Sequence, residues 1–259
     1  MPAVETESRG RVLIVRMDRG GRLNAITAAM VEALDRVLDA WDGHHVLLLT
    51  GTSTCFSAGA DLDELRTVPR EHAYAFSRRL QALTDKLAGL PILTVAAVEG
   101  YALGLGMELA LACDLRVASE RALFGVPEVR LGLFPAAGGT ARLTEMLGPS
   151  LAAELLLTGE SRPVDRFPPG FCARLTAPGD AERVAGAWAE ELADYSPFAV
   201  SAVKRLIRVA RDVSHAAALE WEASLFADVL GTSEAEAALD AFLARPSHRR
   251  SGAETEASS

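Results

Sequence analysis

The sequence contains little cysteine, and its three cysteines are far apart. Cys55, Cys113 and Cys172 form an odd set without a CxxC spacing. Three thiols cannot all pair with one another, and a disulfide framework in a small domain needs an even set. We therefore expect a protein of a reducing cytosol rather than a disulfide-stabilised secreted domain.

Positive charge is also scarce. The 259 residues carry 26 Lys and Arg against 35 Asp and Glu, a formal charge of −9. Nucleic acid repels a negatively charged surface that has no Lys/Arg-rich run, so nucleic-acid binding is disfavoured as a main function. Lys86 and Lys204 are the only lysines, and alanine is frequent. This bias is typical of a GC-rich bacterial coding sequence.

Long apolar runs are absent as well. No uncharged apolar stretch approaches the 18 or so residues that a membrane-spanning helix needs. The N-terminal segment MPAVETESRG has neither the basic nor the apolar region of a secretory signal. The sequence therefore predicts a cytoplasmic protein without a membrane partner.

The usual signatures of metal and dinucleotide sites are missing. The five histidines form no HExxH motif and no His/Cys cluster, so no metal site is expected. Gly104 and Gly106 give a GxG, but Leu109 occupies the third glycine position. Glu108, at the start of the predicted helix, would repel a pyrophosphate, so a Rossmann site is not expected.

What is present is the pattern of an α/β protein. The chain is 49% apolar and 24% charged, which is typical of a globular domain with a sizeable core. Apolar runs at residues 12–17, 46–50 and 92–98 predict strands, and amphipathic segments follow them, the first with Thr27 as its N-cap. Such alternation favours βα units around a mainly parallel sheet.

The C-terminal part reads differently, because only helices are predicted after residue 181. Their predicted ranges are 181–195, 199–212, 215–230 and 233–244. The sequence thus predicts an α/β core at 1–180, a helical subdomain at 181–245 and a polar, disordered tail at 246–259.

Three segments with small residues could carry chemistry. They are FSAGAD at 56–61, GYALGLGMELA at 100–110 and GVPEVRLGLFPAAGGT at 125–140. Small residues let a ligand approach the backbone, and a helix N-terminus directs free N–H groups at an anion or a developing oxyanion. Taken alone, the FSAGAD segment is equally compatible with an ordinary strand-to-loop turn.

Two glutamates add acid–base capacity to these backbone donors. Glu108 lies in the first turn of a predicted helix, where the helix dipole alone would favour an acid. Glu128 follows a proline and alone would be an ordinary surface residue. Facing one cleft, the pair could move protons at carbons beside a carbonyl whose charge the amides stabilise.

The three segments, in this order and spacing, closely resemble the crotonase superfamily, the enoyl-CoA hydratase/isomerase family. The likeness is dense over residues 11–159 and includes RLNA at 22–25. It implies a crotonase-like (ClpP/crotonase) spiral of ββα units with a C-terminal helical subdomain. It also implies an acyl-CoA thioester substrate, with coenzyme A as part of the substrate and no further cofactor.

The resemblance also implies roles for individual residues. Ala60 and Leu105 fall where the family supplies the two oxyanion-hole amides. Glu108 falls on the water-activating glutamate, and Glu128 on the glutamate that delivers or removes the C2 proton. Segments that wrap coenzyme A in relatives here contain Arg22, Ala25, Ala58, Asp61 and Leu62.

The presence of both glutamates favours a hydratase, because syn addition of water needs both to hold the water. An enoyl-CoA isomerase, or other enolate chemistry on acyl-CoA, is the alternative. A catalytically silent CoA-binding homologue is a third possibility. The late helices of relatives assemble trimers or pairs of trimers, so the resemblance implies a homotrimer or a dimer of trimers.

Two departures from the family pattern bear on these expectations. Leu105 stands where glycine is usual, and its side chain is expected to crowd the pocket or to alter the loop path. Residues 160–175 carry three prolines in place of an Ala/Glu-rich helix, which predicts unusual acyl-chain selection.

Overall fold

A computed structural model describes residues 3–41 and 43–244. The predicted α/β class is confirmed. The strands are β1 Val4–Arg9, β2 Val12–Met17, β3 Val46–Thr50, β4 Leu93–Val98, β5 Tyr101–Leu103, β6 Leu115–Ser119, β7 Leu123–Gly125, β8 Ser161–Pro163 and β9 Arg174–Thr176. The α-helices are α1 Ala28–Asp39, α2 Leu62–Leu65, α3 Ala73–Gly89, α4 Leu105–Ala112, α5 Gly139–Thr158, α6 Ala181–Leu192, α7 Pro197–Asp212, α8 His215–Leu230 and α9 Ser233–Leu243.

The strands form one large and one small sheet. The large sheet has the order β1-β2-β3-β4-β6-β9; β1 is antiparallel to β2 and the other neighbours are parallel. The small sheet has the order β5-β7-β8, with β5 parallel to β7. The chain therefore repeats a ββα unit, as in β4-β5-α4 and β6-β7-α5, which is the predicted spiral.

The central strands are apolar on both faces because both faces of the large sheet are covered. Along β2, Leu13 and Val15 lie in the main core, whereas Val12 and Ile14 lie in a second core. Alternate residues of a strand point to opposite faces, so a continuous apolar run is what a strand buried on both faces requires.

Helix α6 covers the second core, and this differs from the domain boundary predicted at residue 180. Its alanines Ala185 and Ala189 pack with Val46, Leu48 and Val95 of the sheet. The first compact unit of the chain ends at Asp194 and the second begins at Tyr195. The small side chains of α6 let it approach the strands closely, so it lies in the first unit rather than in the helical part.

The second unit contains α7, α8 and α9. Helix α7 packs against α8, and α8 against α9. The Arg205 guanidinium lies 4.4 Å from the centre of the Trp221 ring. The tail predicted at 246–259 lies outside the described residues, and no helix among the described ones is long and apolar enough to cross a bilayer.

The proline-rich stretch at 160–175 contains short pieces instead of a long helix. Strand β8, the 3₁₀ helix Val164–Arg166 and the start of β9 lie within it. The rings of Phe167 and Phe171 stack at 4.2 Å and pack edge-on against Phe124 of β7. This aromatic cluster anchors a segment that prolines prevent from forming a regular helix.

Candidate active site

The first two small-residue segments lie side by side because backbone hydrogen bonds join them. The Ser57 N–H donates to the Tyr101 carbonyl at 2.8 Å, and the Leu103 N–H donates to the Ser57 carbonyl at 2.9 Å. A Cβ on Gly106 would stand 2.5 Å from the Ser57 carbonyl oxygen. A glycine is therefore required there for α4 to begin against the FSAGAD loop.

The same contact brings the two predicted donor amides close together. A Cβ built on Gly59, the residue before Ala60, would stand 3.5 Å from the Leu105 nitrogen. Gly104 has φ +50° and precedes the first turn of α4 without a side-chain cap. Across the described residues, no hydrogen-bond acceptor faces the N–H of Ala60 or of Leu105. Both amides can therefore donate to an oxygen of a ligand.

The leucine at position 105 stands at the start of α4. Its side chain is 4% exposed and lies in the main hydrophobic core. Leu105 is the first residue of α4, and the positive φ before it belongs to Gly104. The core therefore accommodates the leucine side chain while the amide stays at the helix end, and an effect of Leu105 on the pocket or the loop path stays a prediction.

Glu108 is a buried carboxylate held by backbone donors. Its Oε1 accepts hydrogen bonds from the N–H groups of Ala137 at 2.7 Å and Gly139 at 2.8 Å. A Cβ on Gly139 would stand 2.9 Å from both Cγ and Oε1 of Glu108, so only glycine fits. Burial raises the pKa of Glu108, although the two N–H groups and the charge of Arg142 act to lower it.

Glu128 lies on the 3₁₀ helix Pro127–Leu131 and reaches back to Gly104. A Cβ on Gly104 would stand 2.8 Å from its Oε1, so the carboxyl group lies beside the start of α4. Parallel pairing of β5 with β7 explains this contact, because Gly104 follows β5 and donates its N–H to the Gly125 carbonyl at the end of β7.

The environment of Glu128 is that of an acid at neutral pH. Its Oε2 is buried and has no hydrogen-bond partner among the described residues. Burial, followed by the charge of Glu108, raises its pKa to about 7. An unpaired buried polar atom costs about 1–3 kcal/mol, and such a cost in a site is typical of an atom that meets a substrate.

The predicted CoA-binding segments lie next to this site, and one of their residues has a structural role. Asp61 caps α2 by accepting from the Glu64 N–H at 2.9 Å and forms an ion pair with Arg19. The Glu64 N–H, followed by Arg19, lowers the pKa of Asp61. The Asp61 carboxylate therefore fixes the end of the FSAGAD loop.

The other predicted CoA-binding residues have varied surroundings. The Ala58 N–H donates to the Leu23 carbonyl at 3.0 Å, the Ala25 carbonyl accepts from Arg19, and Leu62 is 55% exposed. Arg22 begins the 3₁₀ helix Arg22–Asn24. The two loops that contain these residues are thus in contact.

Asn24 joins those two loops, a role that sequence reasoning missed. Its Nδ2 donates to the Met17 carbonyl at 2.8 Å and the Phe56 carbonyl at 2.7 Å, and its Oδ1 accepts from the Arg19 N–H. Its φ is +55°, a conformation that asparagine tolerates better than most residues. The asparagine in the RLNA segment is the sequence feature that could have indicated this role, because a buried amide side chain in a loop needs several hydrogen-bond partners.

The arrangement combines two N–H donors with two buried carboxyl groups that interact electrostatically. The structure places Ala60, Leu105, Glu108 and Glu128 together around Gly59 and Gly104. Two nearby buried carboxyl groups share one proton more readily than they both ionise. Such a set can stabilise a carbonyl oxygen that gains charge and can move protons at adjacent carbons.

Comparisons with known proteins agree with this geometry. Residues 7–249 match the family described as enoyl-CoA hydratase/isomerase. A 2,3-dehydroadipyl-CoA hydratase of Escherichia coli is 35% identical over 237 residues, which cover 90% of this chain and 92% of that protein. An enoyl-CoA isomerase/hydratase of Mycosarcoma maydis is 36% identical over 199 residues, which cover 76% and 73%. The crystal structure of an enoyl-CoA hydratase from Bacillus anthracis superposes with a TM-score of 0.88 at 30% identity and covers 93% of this chain and 95% of that one.

Proposed function

The chain belongs to the enoyl-CoA hydratase/isomerase family, and we propose that within it the protein is a hydratase. It adds water reversibly and with syn geometry across the double bond of a 2-enoyl-CoA and gives a 3-hydroxyacyl-CoA. The observation that carries this proposal is the pair of buried glutamates beside two free amides, because water addition uses both carboxyl groups. Conversion of crotonyl-CoA into 3-hydroxybutyryl-CoA is the test.

The proposed reaction begins with polarisation of the thioester. The N–H groups of Ala60 and Leu105 donate to the carbonyl oxygen and stabilise the enolate that forms when C3 is attacked. Loss of one such donor in a comparable oxyanion hole costs about 2.7–4 kcal/mol. The pantetheine and nucleotide of coenzyme A are proposed to lie along the segments that contain Arg22, Ala25, Ala58, Asp61 and Leu62.

Proton transfer then completes the addition. Ionised Glu108 accepts a proton from water as the water oxygen bonds to C3, and protonated Glu128 gives its proton to C2 of the enolate. Glu108 ends protonated and Glu128 ionised, and one proton returns from Glu108 to Glu128 before the next cycle. The sum is addition of one water molecule.

The second candidate is double-bond isomerisation, an activity that the names of two relatives include. It moves a proton between C2 and C4 of an acyl-CoA and needs only one acid–base residue, Glu128 in this chain. Conversion of a 3-enoyl-CoA to the 2-enoyl isomer without hydration would favour it. Binding of CoA thioesters without turnover of any kind would instead favour the catalytically silent homologue.

The pH dependence of hydration is expected to be bell-shaped. Hydration needs protonated Glu128, whose pKa is about 7, so activity falls as the pH rises through that region. It also needs ionised Glu108. Burial raises the pKa of Glu108, so the acidic limb should lie at a pH above the ordinary pKa range of glutamate. Dehydration needs the opposite state, in which Glu108 is protonated and Glu128 is ionised. Because both states carry one proton on the pair, the rates of hydration and dehydration should show the same two limbs. Initial rates of crotonyl-CoA hydration between pH 4 and 10 test this, and a rate without an alkaline limb would contradict it.

We also propose that the protein assembles as a homotrimer or a dimer of trimers. Several large apolar side chains of the second unit are exposed, which is typical of an interface. They include Phe198, Val203, Ile207, Leu219, Phe226, Leu230, Leu239 and Leu243. Light scattering should report the mass of three or six chains of 27.5 kDa. A monomer at micromolar concentration would contradict the proposal.

A further inference from the structure

The segment that donates to Glu108 is itself held in place by side chains of α3 and α5. Ser77 of α3 donates its hydroxyl to the Ala136 carbonyl at 2.9 Å. Thr84, also on α3 and fully buried, donates to the Ala137 carbonyl at 2.7 Å. Ala137 therefore accepts at its oxygen from α3 and donates from its nitrogen to Glu108, so a shift of this residue would move the carboxylate.

Arg142 adds a third support to the same segment. Its Nη1 donates to the Ala137 carbonyl at 3.0 Å and to the Thr84 hydroxyl at 3.2 Å. A Cβ on Gly138, the residue between the two donors to Glu108, would collide with Nη1. The guanidinium therefore packs directly on the backbone that presents the Ala137 and Gly139 N–H groups.

The position of Arg142 is not one that helix stability favours. It lies in the first turn of α5, where the positive end of the helix dipole disfavours a cation. Its side chain is 15% exposed, and its Nη2 bonds to Oδ1 of Asp85 at 2.6 Å. Asp85 is 68% exposed, and an ion pair with so exposed a partner contributes little to stability. The ion pair alone thus gives little reason for an arginine here.

Charge gives Arg142 a second influence on the site. Its guanidinium lowers the pKa of Glu108, which burial raises. The other groups that act on Glu108 are the Ala137 and Gly139 N–H groups, and the titratable neighbour across the site is Glu128. The same side chain therefore supports the donors to Glu108 mechanically and favours its ionised form.

We propose that Arg142 is a positioning residue for the reaction and that Thr84 and Asp85 hold it in place. It fixes the Ala137–Gly139 segment so that Glu108 keeps one orientation, and its charge favours the ionised form of Glu108 against the effect of burial. This inference rests on the proposed hydratase function. It does not require Arg142 to touch the substrate.

Three variants and a control separate these effects in crotonyl-CoA hydration. Arg142→Gln should lower kcat by about 10–100-fold with little change in KM, since a displacement of about 1 Å in a catalytic group costs up to about 100-fold. Its acidic pH limb should also move to higher pH, because the charge that lowers the Glu108 pKa is lost. Arg142→Lys should restore the limb and part of kcat. Thr84→Val should lower kcat without moving the limb.

Arg79→Gln is the matched control. Arg79 lies on α3 and pairs with Glu32 at 2.9 Å on an exposed surface, away from the donor segment. The Arg79→Gln enzyme should keep the wild-type kcat and the wild-type acidic limb of the pH profile. An Arg142→Gln enzyme with wild-type kcat, or with a reduced kcat and an unmoved acidic limb, would overturn the proposal.

A carboxyl titration distinguishes failure of this inference from failure of the hydratase proposal. If the wild-type protein hydrates no enoyl-CoA, the hydratase proposal fails, and ¹³C-carboxyl NMR of Glu108, assigned with Glu108→Gln, still tests Arg142. A higher Glu108 titration midpoint in Arg142→Gln than in the wild type supports the positioning role. An equal midpoint contradicts it.

Discussion

Glutamine at position 108 is expected to lower kcat for crotonyl-CoA hydration by about 10²–10⁴-fold, the usual contribution of a general base. Its amide oxygen can still accept from the Ala137 and Gly139 N–H groups, so the fold of the site is kept. The amide cannot take a proton from water. Hydration rates in Glu108→Gln, with its melting temperature as a check on folding, measure the effect.

The same variant should retain the part of the chemistry that needs only Glu128. In D₂O, Glu108→Gln should still exchange the C2 protons of butyryl-CoA, because the Ala60 and Leu105 amides still stabilise the enolate. Glu120→Gln, on an exposed turn, serves as the control and should behave as the wild type. Wild-type hydration by Glu108→Gln would remove Glu108 from the mechanism.

Glutamine at position 128 is expected to abolish both hydration and C2 exchange. The loss of kcat should again be about 10²–10⁴-fold, because Glu128 is proposed to supply the proton to C2. Proton NMR of butyryl-CoA in D₂O and absorbance of crotonyl-CoA measure the two losses. The different exchange behaviour of the two variants assigns the two roles.

The stability of Glu128→Gln gives an independent readout. Oε2 of Glu128 has no hydrogen-bond partner in the described structure, so the substitution breaks no bond at that atom. It also removes a buried group that is charged at high pH, so its melting temperature should equal or exceed that of the wild type above neutral pH. A variant that unfolds, or that keeps C2 exchange, would contradict the role given to Glu128.

Much of the fold follows from sequence patterns that have a single physical reading. Strands β2 and β3 have the predicted bounds. Each contains a continuous apolar run, and only a strand that is covered on both faces needs such a run. Thr27 caps α1 as predicted and accepts from the Met30 N–H at 3.2 Å. The adjacency of the three small-residue segments also follows, because it depends on repeated ββα units and on glycines that allow close approach.

The elements that were missed depend on tertiary context. Strand β1 is polar, with no fully buried residue, because it lies at the edge of the sheet. Helix α5 begins at a glycine and contains Gly148 and Pro149. Glycine and proline have low helix propensity, so the local sequence predicts a loop there. The roles of Thr84 and Arg142 could not be predicted from sequence, because both side chains bind the Ala137 carbonyl group. Only the tertiary fold brings that carbonyl group next to Thr84, which is distant from it in sequence.

The most direct test of the hydratase proposal is to analyse the product formed from crotonyl-CoA in D₂O that is enriched in ¹⁸O. Mass spectrometry and NMR should show one ¹⁸O at C3 and one deuterium at C2, added to the same face, with loss of the conjugated-thioester absorbance. Bound crotonyl-CoA recovered unlabelled, or a 3-enoyl product without ¹⁸O, would contradict it.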